Sequence, residues 1–369
     1  MLNQALSGCR KTLSTASLTI MLGIDERALR IAWTIFLFGL LLVVVYYIRG
    51  TILLFAGSIF LAYMLSPIVE LVERFIPQRR NLALALVYVA LIGLLVLLGF
   101  ELVPALNAEA TSLFTRLPSL VSGGSLAQIP LPHWLEPMRA QVIAALNRAA
   151  TNLASSAVPF LQQASTHILS GLGAILPIIL IPILAFFFLK DGETIRKSLI
   201  GAVEGGHDRT TMELILDDIH VVLKNYIRAL VLLAAASFCA WSIFFSIMRY
   251  PYELLLAGLA AVLEFIPVVG PAASLVIMLI VIGMTGSGGL PWIIVFWGAF
   301  RIFQDYVLNP LLMSAGTELH PLLVLFGVLA GNALGGIPGM FFSVPILAIL
   351  RVVYNHLRQS YAQKQFTPA

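Results

Sequence analysis

The chain has 369 residues, 60% of them hydrophobic and 11% charged, with a formal net charge of +4. A soluble core accounts for one long apolar segment but not for several in succession, so an all-α, polytopic helical membrane protein is expected. Segments of about ten residues with alternating polarity do not occur, which excludes a β-barrel; nothing signals nucleic-acid binding, and Cys9 and Cys239 form neither a disulfide framework nor a metal spacing.

Residues 1–30 read as a cytoplasmic segment rather than a signal peptide, because Asp25-Glu26-Arg27 follows the only weakly apolar piece. Apolar runs at about 31–48, 51–69 and 82–103 predict three spans within 31–103. Residues 104–170 form the largest polar insertion. It opens with the turn formers Pro118, Gly123, Gly124, Pro130, Pro132 and Pro137. Then Val142, Leu146, Ala149, Leu153, Ala157, Phe160 and Ala164 recur at helical spacing. This reads as an extracytoplasmic helical cap, with a gate or an oligomer contact as the alternative. A fourth span covers 171–189, and 190–225 is a cytoplasmic segment.

Within and just beyond that segment, 208–228 is amphipathic, with Asp208 as its N-cap. Met212, Ile215, Leu216, Ile219, Val222, Leu223 and Tyr226 make one stripe; Glu213, Asp217, Asp218, His220, Lys224 and Arg228 face elsewhere. It reads as an interfacial helix steering the next span, or as a coupling arm. Residues 226–353 form a C-terminal bundle, with a span at about 226–248 and apolar segments near 253–285, 290–309 and 321–351. The tail, 354–369, is cytoplasmic, which makes about eight membrane segments. Arg10, Lys11, Arg27, Arg30, Arg74, Arg79, Arg80, Lys190, Arg196, Lys197, Arg209, Lys224, Arg351, Arg358 and Lys364 then fall on one side. Positive loops stay inside, so both termini are expected in the cytoplasm.

Two of the C-terminal segments are interrupted. Glu264-Phe265-Ile266-Pro267-Val268-Val269-Gly270-Pro271 places an acid and helix breakers inside an apolar run. In lipid the freed carbonyls have no water to bond, so such a break survives only where protein or a wet cavity covers it. Gly335-Gly336-Ile337-Pro338-Gly339 interrupts the last segment, a few residues after Asn332. Both segments are expected to be broken or re-entrant, with the breaks near Pro267–Pro271 and Gly335–Gly339 meeting at mid-membrane. Between them, Arg301 and Asp305 stand four apart and share a helix face, with Gln304 and Asn309 adding amides. Glu264 is either a helix-end acid bonded to freed amides, or a contact for a proton, cation or solute. Arg301 and Asp305 are either a structural pair or part of the pathway. The pathway candidates are therefore Glu264, Pro267, Gly270, Pro271, Arg301, Gln304, Asp305, Asn309, Asn332, Gly335, Gly336, Pro338 and Gly339. Ser287, in Gly286-Ser287-Gly288-Gly289, has no base at a matching depth and reads as a turn residue, not a nucleophile. No catalytic residue, metal or cofactor is expected.

The order Phe265-Ile266-Pro267-Val268-Val269-Gly270-Pro271, Gln304-Asp305 ahead of Leu308-Asn309-Pro310, Leu319-His320-Pro321-Leu322, and Gly335-Gly336-Ile337-Pro338-Gly339 with Val344-Pro345 resembles the AI-2E family of bacterial membrane transporters. Phe186-Phe187-Phe188-Leu189-Lys190-Asp191 is similar to it as well. The resemblance implies a secondary transporter in the inner (plasma) membrane. It implies efflux of a small polar solute, with the quorum-sensing signal autoinducer-2 as candidate, or sodium(lithium)/proton antiport in some relatives. A non-transporting membrane scaffold is the alternative of another class. An ATP-driven pump is disfavoured, because no Gly-x-x-x-x-Gly-Lys-Ser/Thr occurs. The expected partners are the lipid bilayer and a small polar solute or a monovalent cation or proton; a homo-oligomer is left open.

Overall fold

The computed structural model describes residues 26–77, 79–122, 172–203, 205–285, 289–312 and 319–366, with isolated positions between 137 and 151. The expectations for the first 25 residues, for the turn formers after 122 and for most of the helical cap fall outside the described residues. Among the described residues all regular structure is helical. Five helices among the described residues are long and apolar enough to cross a membrane: Leu29–Tyr47, Arg49–Phe75, Arg80–Leu113, Asp208–Met248 and Pro321–Gln359.

The chain divides into two units, residues 1–52 and 53–369. The first holds α1 (Glu26–Tyr47) and the first turn of α2 (Arg49–Phe75). Trp33, Phe36, Phe38, Leu41 and Val44 are all exposed, so α1 is apolar on every side, as a helix in lipid is. α1 and α2 follow each other with almost no gap. The amide of Ile48 donates to Val44 O at 2.9 Å and that of Ile52 to Ile48 O at 3.0 Å, so helical bonding continues through the junction.

The second unit contains the rest of α2, then α3 (Arg80–Ser122), α4 (Leu172–Gly201) and α5 (Gly206–Met248). The helix of the third span extends beyond the apolar run: α3 goes through Pro104 and Pro118 to Ser122. A proline removes one backbone donor, and a long helix absorbs that as a local kink. The amphipathic 208–228 piece runs straight into the following span as the first half of α5, but the helix starts earlier than expected, with Gly205 rather than Asp208 at its N-cap. α2, α3 and α4 pack through Ala62, Leu65, Val69, Leu84, Val87, Ala185 and Leu189. The Tyr88 hydroxyl donates to Pro182 O at 3.1 Å and Arg80 Nη2 to Leu189 O at 3.0 Å, which sets α3 beside α4.

Then come α6 (Glu253–Leu263), α7 (Val269–Met284), α8 (Leu290–Phe303), a π-helical turn (Gln304–Leu308), α9 (Asn309–Leu312) and α10 (Pro321–Phe366). At 11 and 16 residues, α6 and α7 are each shorter than the roughly 20 residues that cross a bilayer. They form a helical hairpin. Tyr250, just before α6, donates from its hydroxyl to Gly289 O, just past α7, at 3.0 Å, so both ends return to one place. Gly270 packs so closely on the turn that a Cβ there would fall on the Leu263 carbonyl oxygen. Trp241, Phe244, Phe245, Leu256, Met278, Ile282 and Ile293 bury this hairpin against α5 and α8.

α10 is a second hairpin. Gly336 has φ 61° and ψ −142°, which interrupts the helix. Gly331 faces Gly339, and Gly327 faces Ser343 and Leu347, so the two arms lie against each other around the break. Both broken segments thus fold back on themselves as hairpins. The first break spans Glu264–Val268, slightly before the expected Pro267–Pro271, because Pro271 is tolerated in the first turn of α7.

The hairpins enter from opposite ends of α5. The base of α6–α7 adjoins Met248–Tyr250, where the amide of Leu255 is capped by Glu109 Oε2 of α3 at 2.9 Å. The base of α10 lies at the other end. There His356 Nε2 is 2.7 Å from Asp218 Oδ2, and Leu319 and Val324 pack on the cluster around Tyr226. The tips meet between them: the Phe265 and Phe341 rings are 5.4 Å apart, and Phe60 of α2 touches both at 6.1 and 4.8 Å.

Candidate functional site

α5 presents a buried stripe of Tyr226, Leu230, Leu233, Ser237, Trp241 and Phe244, three or four residues apart. Ser237, 1% exposed, is the polar centre of that stripe. Its hydroxyl donates to Glu264 Oε2 at 2.9 Å and accepts from Gln304 Nε2 at 3.1 Å. Glu264 Oε1 lies 3.6 Å from Arg301 Nη1. Arg301 Nε donates to Asp305 Oδ2 at 3.2 Å, and Asn309 Nδ2 donates to Asp305 Oδ1 at 3.2 Å. One polar seam therefore joins α5, the first hairpin tip and the α8–α9 helix.

Local structure explains each position. Glu264 is the last, capping residue of α6, and its amide still bonds Ala260 O at 3.0 Å. A carboxylate at a helix C-terminus is unfavourable against the macrodipole. Its side chain is held instead by Ser237 and Arg301, not by the freed amides of the break. The π-turn widens the helix just after Arg301, turning Gln304 into the core while Asp305 stays outside. Such bulges recur at functional sites. Side-chain exposure is 11% for Glu264, 32% for Arg301 and 43% for Asp305, so the seam runs from interior to surface. Asn309 Oδ1 is buried without a hydrogen-bond partner.

The remaining candidates divide. Pro271 O accepts from Trp297 Nε1 at 3.1 Å and from Ser274 Oγ at 2.8 Å, which pins the start of α7 to α8. Gly270 makes the tight turn, and Pro267 is half-buried within it. Gly339 serves the close approach of the α10 arms, while Gly335 backs onto the Leu53 side chain. Gly336 carries the break at a positive φ that glycine accommodates, with Pro338 exposed just after it. Asn332 is exposed on α10 and is not among the partners of the seam. Sequence reasoning missed Ser237 and Trp297. The only signal for Ser237 was a lone hydroxyl in the apolar run Leu232-Leu233-Ala234-Ala235-Ala236-Ser237-Phe238.

Chemically the seam is two carboxylates around one guanidinium, with amides and a hydroxyl that both donate and accept. It can take up a proton, release one, or hydrogen-bond a polar solute. Among the described residues no group of three or more His, Cys, Asp or Glu converges as a metal shell would need.

Residues 34–359 match a family described as "AI-2E family transporter". The chain is similar to "Putative transport protein YueF" of Bacillus subtilis (strain 168), 27% identical over 315 residues that cover 83% of each chain. It is similar to "Putative transport protein YrrI" of the same organism, 25% identical over 304 residues, 81% of this chain and 84% of that one. It is also 27% identical to "Putative permease PerM" of Escherichia coli (strain K12) over 325 residues, 85% of this chain and 89% of that one. With a match of this extent and an all-helical fold ending in two hairpins, the chain belongs to the AI-2E family of membrane transporters.

Proposed function

We propose that this protein is a secondary transporter that exports a small polar solute across the bacterial inner membrane, with autoinducer-2 as the candidate solute. The observation that carries this reading is the meeting of two opposed hairpin tips beside the Ser237–Glu264–Arg301 seam. Discontinuous helices expose backbone groups at depth, and transporters use such breaks to form solute and ion sites. The basic ends of the bundle, with Arg79, Arg80, Lys190, Arg196, Lys197 and Lys224, support a cytoplasmic placement of the 190–205 turn and the tail.

A sodium/proton antiporter is the second reading. The Glu264–Arg301 pair favours it, because at 3.6 Å the carboxylate is held loosely enough to exchange its counter-ion for a proton. Purified protein in proteoliposomes separates the two. Autoinducer-2 efflux that is lost in Glu264→Gln, with insertion and yield intact, supports solute export through the seam. Collapse of an imposed pH gradient on adding Na⁺, without autoinducer-2 movement, supports antiport. Absence of both activities in well-folded protein rejects transport and leaves the scaffold.

A further inference from the structure

α5 carries a second polar group on the face that holds Ser237. Tyr226 lies eleven residues earlier, close to three whole turns, so the two side chains project to one side about 16 Å apart along the axis. Tyr226 is 5% exposed, and its hydroxyl is buried with no hydrogen-bond partner. Its surroundings are Ile227, Leu230 and Val344, with Phe60, Phe265 and Val324 packed against them. Tyr63, at the edge of the same cluster, has its hydroxyl within 3.1 Å of His220 Nδ1. A tyrosine at this level can therefore be satisfied, yet Tyr226 is not. Leaving a hydroxyl buried and unpaired costs free energy that phenylalanine would not. A phenol in such a place needs a partner in another state of the molecule.

The location says which state. Phe265 belongs to the first hairpin break, and Val344 follows the second by a few residues. Tyr226 thus sits behind the joint of the two tips, three turns along the α5 stripe from Ser237. We propose that the Tyr226 hydroxyl is a solute contact in a chamber that opens when the hairpin tips part, and that it leads the solute towards Ser237. This rests on the transport reading above. The class of solute follows from the walls. They are aromatic and aliphatic and carry no formal charge; the flanking charges, Lys224 with Glu70 on one side and Glu264 with Arg301 on the other, are already paired. One neutral hydroxyl gives a bare monovalent cation a single oxygen ligand. It suits an uncharged solute with hydroxyl or carbonyl groups and an apolar face.

Two measurements on the full chain decide this. In a Cys9→Ser, Cys239→Ser background, Tyr226→Cys is treated with a membrane-impermeant methanethiosulfonate in sided vesicles, with Val87→Cys in the α2–α4 core as reference. At least tenfold faster reaction at 226 than at 87 is expected; equally slow reaction means a core that never opens and overturns the chamber. In proteoliposomes, Tyr226→Phe is expected to raise the KM for autoinducer-2 efflux at least fivefold while thermal stability is unchanged or higher. An unchanged KM overturns the contact. If the unsubstituted protein moves no autoinducer-2, that solute falls with the export reading, while the thiol rates still decide the chamber by themselves.

Discussion

Removing Arg301 tests which carboxylate the seam depends on. Arg301 stands 3.6 Å from Glu264 and 3.2 Å from Asp305, so gross attraction at an effective dielectric of 20 is about 4–5 kcal/mol for either partner. Exposure decides between them. Asp305 is 43% exposed and is also held by Asn309, and in the wet pathway proposed above its pair is screened to about 0–1 kcal/mol net. Glu264 is 11% exposed, and stripping a buried carboxylate of its partner typically costs about 3–5 kcal/mol. Glu264 is free to take up a proton when left alone, so Arg301→Ala is expected to cost about 2–3 kcal/mol, below that range. Adding Glu264→Gln should restore most of the loss, because glutamine keeps an acceptor for Ser237 and carries no charge. Adding Asp305→Ala should restore less than about 0.5 kcal/mol. Equilibrium unfolding in detergent micelles, followed by tryptophan fluorescence, gives the three differences. Equal or greater rescue by Asp305→Ala would refute the reasoning and return the pair to the single helix on which Arg301 and Asp305 both lie.

The glycine contacts predict a graded series: Gly270→Ala and Gly331→Ala should each lose about 1–3 kcal/mol, since a Cβ meets backbone oxygen, whereas Gly298→Ala meets nothing and should be neutral or stabilising. Thermal denaturation in the same micelles checks this, and equal midpoints for Gly270→Ala and Gly298→Ala would contradict the tight turn. For orientation, Ala202→Cys and Asn107→Cys in the cysteine-free background should react with an impermeant maleimide from opposite faces of the membrane, Ala202→Cys from the cytoplasm; labelling from one shared face would overturn the assignment.

Much of the C-terminal half was legible because helix breakers act locally. Proline and glycine inside an apolar run have the same consequence whatever surrounds them, so the interruptions near Pro267 and at Gly336 could be read directly. How closely their arms pack could not, because it depends on Gly270 reaching the Leu263 carbonyl and Gly331 reaching Gly339, which are contacts between positions. The seam was half legible. Arg301 and Asp305 share a face by helix periodicity alone. The Glu264–Arg301 link crosses two elements, and Ser237, which joins Glu264 to Gln304, looked like one more small residue among alanines. The continuation of α3 past Pro104 was hidden for a related reason. A proline weakens a helix by one bond, and α3 is 43 residues long, so the rest of its bonding outweighs the loss.

Several unfavourable terms of this fold lie in α5 and the two hairpins. Val268 takes φ 66° although it is β-branched, and Arg249 and Tyr252 take φ 54° and 62° at the base of the first hairpin. Glu264 opposes its own helix dipole, and Tyr226 and Asn309 keep buried oxygens without partners. A bundle selected only for stability in lipid would carry none of these. The favourable terms are spread unevenly around them. The first tip is fastened by directional bonds, from Ser237 to Glu264 and from Trp297 to Pro271. The described contacts that join it to the second tip are ring contacts among Phe60, Phe265 and Phe341, which are non-directional and re-form after sliding. Each hairpin is locked within itself by glycine-to-backbone packing. Two internally rigid hairpins joined by an apolar, slippery contact are what a pathway through the middle of the bundle requires, because the joint can open without either arm losing its own bonds.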